Sequence, residues 1–135
     1  MENEALQQDL LRIGITHGDI NGIGYEIILK TLSDTRILEL FTPVVYGSSK
    51  LASYHKKTLG IGEFSFHLVR SADQAVNGKA NMVNISQNEI KVDLGQSTEA
   101  GGRAAFDSLE AATSDLQNGL IEALVTAPIN KQNIR

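Results

Sequence analysis

The first segment that could do chemistry is a glycine-rich loop over residues 16–26, which reads Thr-His-Gly-Asp-Ile-Asn-Gly-Ile-Gly-Tyr-Glu. An apolar segment rich in isoleucine precedes this loop, and an apolar helical pattern follows it. In α/β enzymes, a strand that ends in such a turn brings the N–H groups of a helix N-terminus against an anionic substrate or nucleotide. The candidate cleft residues from this loop are Thr16, His17, Gly18, Asp19, Gly22 and Gly24.

The spacing of the loop glycines excludes the common nucleotide-binding signatures. A Walker A loop needs Gly-Lys-Ser/Thr at its end, whereas Gly22 is followed by Ile-Gly-Tyr. A dinucleotide fingerprint needs G-x-G-x-x-G, which the glycines at 18, 22 and 24 do not form. The simpler alternative is a tight turn whose glycines provide positive φ and close helix–strand packing. Asp19 favours a ligand site, because α/β sheets bind ligands at the carboxyl ends of their strands.

A second candidate loop covers residues 126–131 and reads Thr-Ala-Pro-Ile-Asn-Lys. Thr126 ends an apolar strand, and we expect Lys131 in the first turn of the helix that follows. An ammonium group there can meet an anion that is also held by backbone N–H groups. Thr126, Asn130 and Lys131 therefore join the candidates. A solvated surface lysine is the alternative, and the ligand role requires both loops to lie at one edge of a parallel sheet.

Other polar groups have simpler explanations. In the Gly-Ser-Ser-Lys segment at 47–50, Ser48 or Ser49 is expected to be a helix N-cap. His17, His55 and His67 lack the spacing of a metal site. We expect His55 on a helix surface and His67 on a strand.

The elements that must position these loops alternate between strand and helix. Strands are predicted at 12–16, 42–46, 64–69, 82–85 and 123–126, with a further alternating segment at 90–94. Helices are predicted at 25–32, 33–40, 49–59 and 98–117. This order predicts an α/β fold with three α/β/α layers and a largely parallel sheet. Residues 1–11 form a polar leader in this interpretation.

Composition limits the class of protein. The 135 residues are 41% hydrophobic and 21% charged, as in soluble globular proteins. No apolar run approaches the roughly 20 residues that span a bilayer, and the absence of cysteine fits a cytoplasmic location. A net charge of −4 argues against nucleic-acid binding. We therefore expect neither a membrane nor a nucleic acid as partner.

Three segments together resemble the 4-hydroxythreonine-4-phosphate dehydrogenase (PdxA) family. Its members carry a loop of the form T-P-G-D-P-A-G-I-G-P-E, and residues 16–26 keep its threonine, Gly-Asp, Gly-Ile-Gly and glutamate. The departures from this pattern are His17, Ile20, Asn21 and Tyr25. The family's T-x-x-A-G segment is matched by residues 97–101, and its T-[AG]-P-[IV]-x-K signature by residues 126–131.

The resemblance implies a two-domain subunit with a fold like that of isocitrate and isopropylmalate dehydrogenases, a homodimer, and a site in the interdomain cleft. It also implies NAD, with NADP left open, and a divalent metal (zinc, magnesium or cobalt) bound by histidines. The substrate would be a small phosphorylated amino acid, 4-phosphohydroxy-L-threonine, which is oxidised and decarboxylated in pyridoxal phosphate (vitamin B6) biosynthesis. The family's prolines shape the loop by fixing φ, so their replacement here leaves the exact substrate open. Relatives acting on other phosphorylated hydroxy acids would look similar.

The same resemblance makes residues 12–135 the N-terminal portion of such a subunit. The catalytic residues and metal ligands are expected beyond Arg135, so we expect the 135-residue segment by itself to be inactive. The alternative is a noncatalytic remnant or a module that binds a phosphorylated ligand. A nucleotide-hydrolysing enzyme is disfavoured by the missing Gly-Lys-Ser/Thr.

Overall fold

The computed structural model describes residues 10–85 and 98–129. It contains a five-stranded parallel sheet with helices on both faces. The strands are β1 (Arg12–Thr16), β2 (Thr42–Gly47), β3 (His67–Val69), β4 (Asn81–Asn84) and β5 (Ala123–Thr126). The α-helices are α1 (Gly24–Leu32), α2 (Ser49–Leu59) and α3 (Glu99–Gln117), and two 3-10 turns lie at Ile37–Glu39 and Ala72–Gln74. None of the described helices is long and apolar enough to cross a bilayer.

The strand order β3-β4-β2-β1-β5 makes β1 the point where the chain changes direction across the sheet. The chain leaves β1 for β2 on one side, and β5 later pairs with β1 on the other side. All four pairings are parallel, so the loops that follow the strands lie at one edge of the sheet. In open α/β sheets, a crevice forms at this edge where the strand order reverses.

The three layers follow from the alternation of side chains along the strands. Val45 of β2 packs with α1 and α2 on one face, in a cluster that includes Leu29 and Met82. Its neighbours Val44 and Tyr46 pack on the opposite face with residues that include Ala112 of α3. Successive strand residues point to opposite faces, so a central strand with both faces covered is apolar throughout. The predicted α/β/α fold with a parallel sheet is confirmed.

Local capping sets the helix boundaries. Ser48 accepts a hydrogen bond from the backbone N–H of Leu51, which confirms the predicted N-cap of α2. Gly60 ends α2 in the left-handed conformation, with φ 72°. Thr98 caps α3 by accepting from the N–H of Gly101. Each cap satisfies a backbone group that the helix leaves without a partner.

Two predicted elements are shorter in the structure. The helix expected at 33–40 is reduced to the Ile37–Glu39 turn, because Asp34 accepts from the backbone N–H of Arg36 and competes with helical pairing. The strand expected at 64–69 is reduced to His67–Val69. Lys56 Nζ donates to the Phe64 carbonyl, which is therefore engaged outside the sheet. The segment predicted at 90–94 and residues 1–9 lie outside the described part of the chain.

The prediction that His55 lies on a helix surface is wrong. Its side chain is buried in α2, and its ring stacks on that of Tyr25, with 5.1 Å between the ring centroids. Its Nε2 lies 3.0 Å from the carbonyl oxygen of Ile20. A hydrogen-bond partner and an aromatic neighbour make burial of this polar ring favourable.

Shortening the buried Leu29 should destabilise the fold far more than shortening a neighbour on the same helix. Leu29 is completely buried, whereas Ile27 is 42% exposed. We expect Leu29→Ala to lower the free energy of unfolding of the complete protein by about 3 kcal/mol, since a core cavity adds to the lost apolar transfer. Urea denaturation monitored by circular dichroism measures this. Ile27→Ala is the control, and equal losses for both variants would contradict the assigned packing.

Candidate functional site

The loop after β1 lies directly against the segment that follows β5. Gly18 has φ 64°, and a Cβ atom there would collide with the carbonyl oxygen of Pro128 and lie 2.6 Å from that of Ala127. The backbone N–H of Asp19 donates to the Pro128 oxygen at 2.7 Å. Only glycine combines this φ with so close an approach. The structure thus brings the first candidate loop and residues 126–129 of the second to the same edge of the sheet.

The Asp19 carboxylate lies in a turn that the loop itself builds. Its Oδ1 accepts from the backbone N–H of Asn21 at 3.0 Å, and its carbonyl accepts from the N–H of Gly22 at 3.1 Å. Such an Asx turn orients the carboxylate through bonds within the loop itself. A Cβ atom at Gly22 would lie 3.2 Å from Asp19 Oδ2, so the glycine leaves room beside the carboxylate. Asp19 is only partly buried and is accessible to a polar ligand.

The loop is tied to α3 through Asn21, which sequence reasoning did not single out. Asn21 is 1% exposed, and its Nδ2 donates to Thr98 Oγ1 at 3.0 Å. The same hydroxyl oxygen accepts the capping bond from Gly101. A signal was available in the sequence, because position 21 departs from the alanine of the family pattern.

His17 is buried as a neutral ring, and its contacts define the tautomer. Nε2 lies 2.9 Å from the carbonyl oxygen of Ala104, and Nδ1 lies 3.0 Å from Tyr25 Oη. A carbonyl only accepts, so Nε2 carries the proton and Nδ1 accepts from the Tyr25 hydroxyl. Burial lowers the pKa of His17 to about 4, which agrees with a neutral ring.

Tyr25 connects this ring to the start of α2. Its hydroxyl oxygen accepts from the backbone N–H of Ser48 at 3.0 Å while its proton goes to His17. Burial raises the pKa of Tyr25, so the phenol stays protonated. Burial likewise lowers the pKa of His55, whose ring stacks on that of Tyr25. The positions 17, 20 and 25, where the loop departs from the family pattern, all contribute a group to these contacts.

A second buried chain of hydrogen bonds ties α3 to the ends of β1 and β2. The backbone N–H of His17 donates to Ser108 Oγ at 3.2 Å, and that hydroxyl donates to the carbonyl oxygen of Tyr46 at 2.5 Å. The Tyr46 hydroxyl donates to Asp115 Oδ2 at 2.6 Å. Burial and the Asp115 carboxylate raise the pKa of Tyr46. The end of β1, which carries the first candidate loop, is thereby tied to both α3 and β2.

The other candidate residues from the two loops differ in their burial and contacts. A Cβ atom at Gly24 would collide with the His17 carbonyl oxygen, so this glycine permits the start of α1 to pack against the loop. Thr16 is buried, and among the described buried side chains its Oγ1 is the polar atom without a hydrogen-bond partner. Its register neighbour Thr126 is exposed at the edge of the sheet. Asn130 and Lys131 lie outside the described residues.

The described part of the chain shows no cluster of metal-ligating side chains. Residues 10–85 and 98–129 contain no group of three His, Cys, Asp or Glu side chains that could hold an ion. Both ring nitrogens of His17 are engaged, and His55 Nε2 faces a carbonyl. His67 begins β3 and lies at the opposite edge of the sheet. The loops instead offer a carboxylate and backbone N–H groups, and the α1 N-cap Ile23 makes no side-chain capping bond to those N–H groups.

The fold and the position of the loops define a three-layer α/β/α domain whose parallel sheet has a crevice at the switch point beside β1. A solved 4-hydroxythreonine-4-phosphate dehydrogenase from Burkholderia phymatum superposes with a TM-score of 0.84 at 29% identity, covering 94% of this chain and 39% of that one. The enzyme of the same name from Klebsiella pneumoniae shares the fold, with a TM-score of 0.80 at 22% identity over 93% of this chain and 38% of that one. The sequence model of the pyridoxal phosphate biosynthetic protein PdxA matches residues 39–135. The chain belongs to the PdxA family.

Among curated relatives, the chain is 45% identical over 130 residues to a 4-hydroxythreonine-4-phosphate dehydrogenase of Bacteroides thetaiotaomicron. This match covers 96% of the chain and 35% of the relative. It is 31% identical over 127 residues to a candidate D-threonate 4-phosphate dehydrogenase of Cutibacterium acnes, covering 90% of the chain and 36% of that protein. The chain therefore spans a little over a third of the length of these relatives.

Adding a methyl group at Gly18 should displace the loop, whereas the same change at Gly60 should not. Both glycines have positive φ, but a Cβ at Gly60 meets no atom within 4 Å. We expect Gly18→Ala to lower the free energy of unfolding of the complete protein by about 3 kcal/mol, since overpacking adds to the backbone strain. Gly60→Ala should cost about 1 kcal/mol from strain alone. Urea denaturation measures both, and equal losses would contradict the close approach at Ala127 and Pro128.

His17 should remain neutral across the physiological pH range. Its folded-state pKa of about 4 lies below the ordinary value of 6.5, so the unfolded chain takes up the proton first as the pH falls. This residue should therefore cost stability progressively between pH 6.5 and 4, by about 3 kcal/mol in full. NMR of the complete protein with isotopically labelled histidine measures the titration, and His17→Gln assigns the signal. A His17 ring that protonates near pH 6.5 would contradict the buried neutral tautomer.

Proposed function

We propose that the complete protein is an NAD-dependent, metal-dependent dehydrogenase that oxidises and decarboxylates 4-phosphohydroxy-L-threonine in pyridoxal phosphate biosynthesis. In this proposal the chain forms one wall of the substrate cleft. The observation that carries it is the 45% identity to the Bacteroides 4-hydroxythreonine-4-phosphate dehydrogenase over 96% of the chain. The glycine-rich loop supports it, because this loop lies at the switch point where folds of this class bind ligands.

The polar groups of the loop after β1 suit a substrate that carries both hydrogen-bond donors and an anionic phosphate. The Asp19 carboxylate only accepts hydrogen bonds, so it would face a hydroxyl or ammonium group of the substrate. The first N–H groups of α1, which have no side-chain cap at Ile23, would face an anionic group. Thr126, Asn130 and Lys131 would line the same cleft, and the Lys131 ammonium would pair with the phosphate. In these roles the chain binds and orients the substrate.

The cofactors would be held elsewhere in the protein. The described residues do not fit a metal, because they lack a ligand cluster and the nitrogens of His17 already have partners. We therefore propose that residues outside the described part bind the divalent ion and contribute the main contacts to NAD. We further propose that the complete protein is a homodimer located in the cytoplasm.

A second substrate has a specific observation in its favour. The Cutibacterium relative, 31% identical over 90% of the chain, is a candidate D-threonate 4-phosphate dehydrogenase. The two substrates share the phosphate and the oxidisable hydroxyl group, and they differ in an amino group against a hydroxyl group at the neighbouring carbon. Asp19 can accept from either group. The higher identity to the Bacteroides relative favours the amino acid.

The complete protein should produce NADH from 4-phosphohydroxy-L-threonine when zinc, magnesium or cobalt is supplied. We expect its kcat/KM to exceed that for D-threonate 4-phosphate by about tenfold, since an ammonium beside a carboxylate contributes more than a neutral donor. Absorbance at the NADH band measures both rates, and a chelator should abolish them.

The 135-residue chain by itself is the control in the same assay, and we expect no NADH from it. A complete protein that oxidises neither substrate with added metal would support the noncatalytic phospho-ligand-binding module instead. A complete protein that prefers D-threonate 4-phosphate would reverse the choice of substrate.

A further inference from the structure

The buried Tyr25 hydroxyl group acts both as a hydrogen-bond donor and as an acceptor. It donates to His17 Nδ1 at 3.0 Å and accepts from the N–H of Ser48 at 3.0 Å. A Cβ atom at Gly47 would lie 2.5 Å from this oxygen, so β2 reaches the hydroxyl only because a glycine ends the strand. The Tyr25 side chain is fully buried, and its hydroxyl has two hydrogen-bond partners in a space that only a glycine at position 47 leaves open. These contacts fix the position of the hydroxyl.

The partners of Tyr25 belong to two different loops at the cleft edge of the sheet. His17 directly precedes Gly18 and Asp19, whereas Ser48 lies between β2 and α2 as the N-cap of that helix. The Tyr25 ring also stacks on His55, whose Nε2 lies 3.0 Å from the Ile20 carbonyl oxygen. Tyr25 therefore holds the loop from its buried side, both through its hydroxyl and through its ring.

This attachment leaves the outer side of the loop available. Asp19 remains only partly buried, while Tyr25 and His17 are almost completely inaccessible. The loop is also held by the Asp19 backbone N–H, which donates to the Pro128 carbonyl oxygen. Tyr25 thus determines where Asp19 stands without reaching the cleft itself.

We propose that Tyr25 is a positioning residue for substrate binding, because its hydroxyl, held between His17 and Ser48, keeps the β1–α1 loop in the conformation that presents Asp19 to the substrate. This inference rests on the proposed function and names a residue for it that does not touch the substrate. A ligand that binds only one loop conformation loses apparent affinity in proportion to the population of that conformation. The hydroxyl should therefore act on KM.

Tyr25→Phe in the complete protein tests this inference, since it removes the hydroxyl and keeps the ring on His55. We expect KM for the phosphorylated substrate to rise about tenfold, with kcat changed less than twofold, because the reacting groups lie elsewhere. Tyr54→Phe is the matched control, because Tyr54 lies on α2 beside His55 and is 43% exposed. It should leave both constants unchanged.

The wild-type protein separates the two proposals. If it oxidises neither phosphorylated substrate, the proposed function fails and this inference fails with it. If it is active and Tyr25→Phe leaves KM unchanged, or lowers kcat alone, the positioning role is overturned while the function stands. An equal rise in KM for Tyr54→Phe would overturn it as well.

A measurement on the wild type keeps the inference testable even if the variant does not fold. The Nδ1 signal of His17 in nitrogen NMR should show an unprotonated, hydrogen-bonded nitrogen in the free protein, and saturation with substrate should leave it unchanged. A signal that becomes hydrogen-bonded only when substrate is added would show that the loop is not held in advance, and would overturn the proposal.

Discussion

The contact of Gly18 with the backbone of Ala127 and Pro128 is the constraint on which the arrangement of the edge depends. No side chain fits at Gly18, and its positive φ turns the chain so that the Asp19 N–H meets the Pro128 carbonyl oxygen. The pairing of β1 with β5 brings the two backbones into reach. The crevice of a parallel sheet thereby becomes a defined surface with a carboxylate at its rim.

Buried polar groups hold the other side of the same loop. In a low-dielectric interior an unpaired donor or acceptor is costly, whereas a satisfied network favours one arrangement. Tyr25 and His17 meet this condition, because the neutral ring and the phenol each have partners for donor and acceptor. Asn21 adds a third attachment, to the cap of α3. The loop is rigid on its inner side for reasons that do not involve a ligand.

In this loop, side-chain hydrogen bonds restrict the backbone at positions where the family pattern has proline. Proline restricts a loop by limiting φ, which needs no partner. His17 and Tyr25 stand at two positions where the pattern has proline, and they bond to each other. Such restriction depends on distant residues, such as Ser48 and Ala104, being correctly placed. The conformation of the loop therefore depends on contacts with residues of other elements of the fold.

The sequence by itself determined the layers, the parallel sheet and the family, because periodicity, caps and motif order are local properties of the chain. It placed the cap of α2 at Ser48 or Ser49 and offered a tight turn with positive φ as one interpretation of the loop glycines; the structure selects Ser48 for the cap and Gly18 for the positive φ. Only the tertiary structure decided the partners of polar side chains. His55 was expected at a surface and lies buried beside Tyr25. Asn21 was noted only as a departure from the family pattern, yet its side chain ties the loop to α3. Contacts between residues 30 to 80 positions apart form when helices pack on a sheet, and a pattern of nearby residue types carries no information about such pairing.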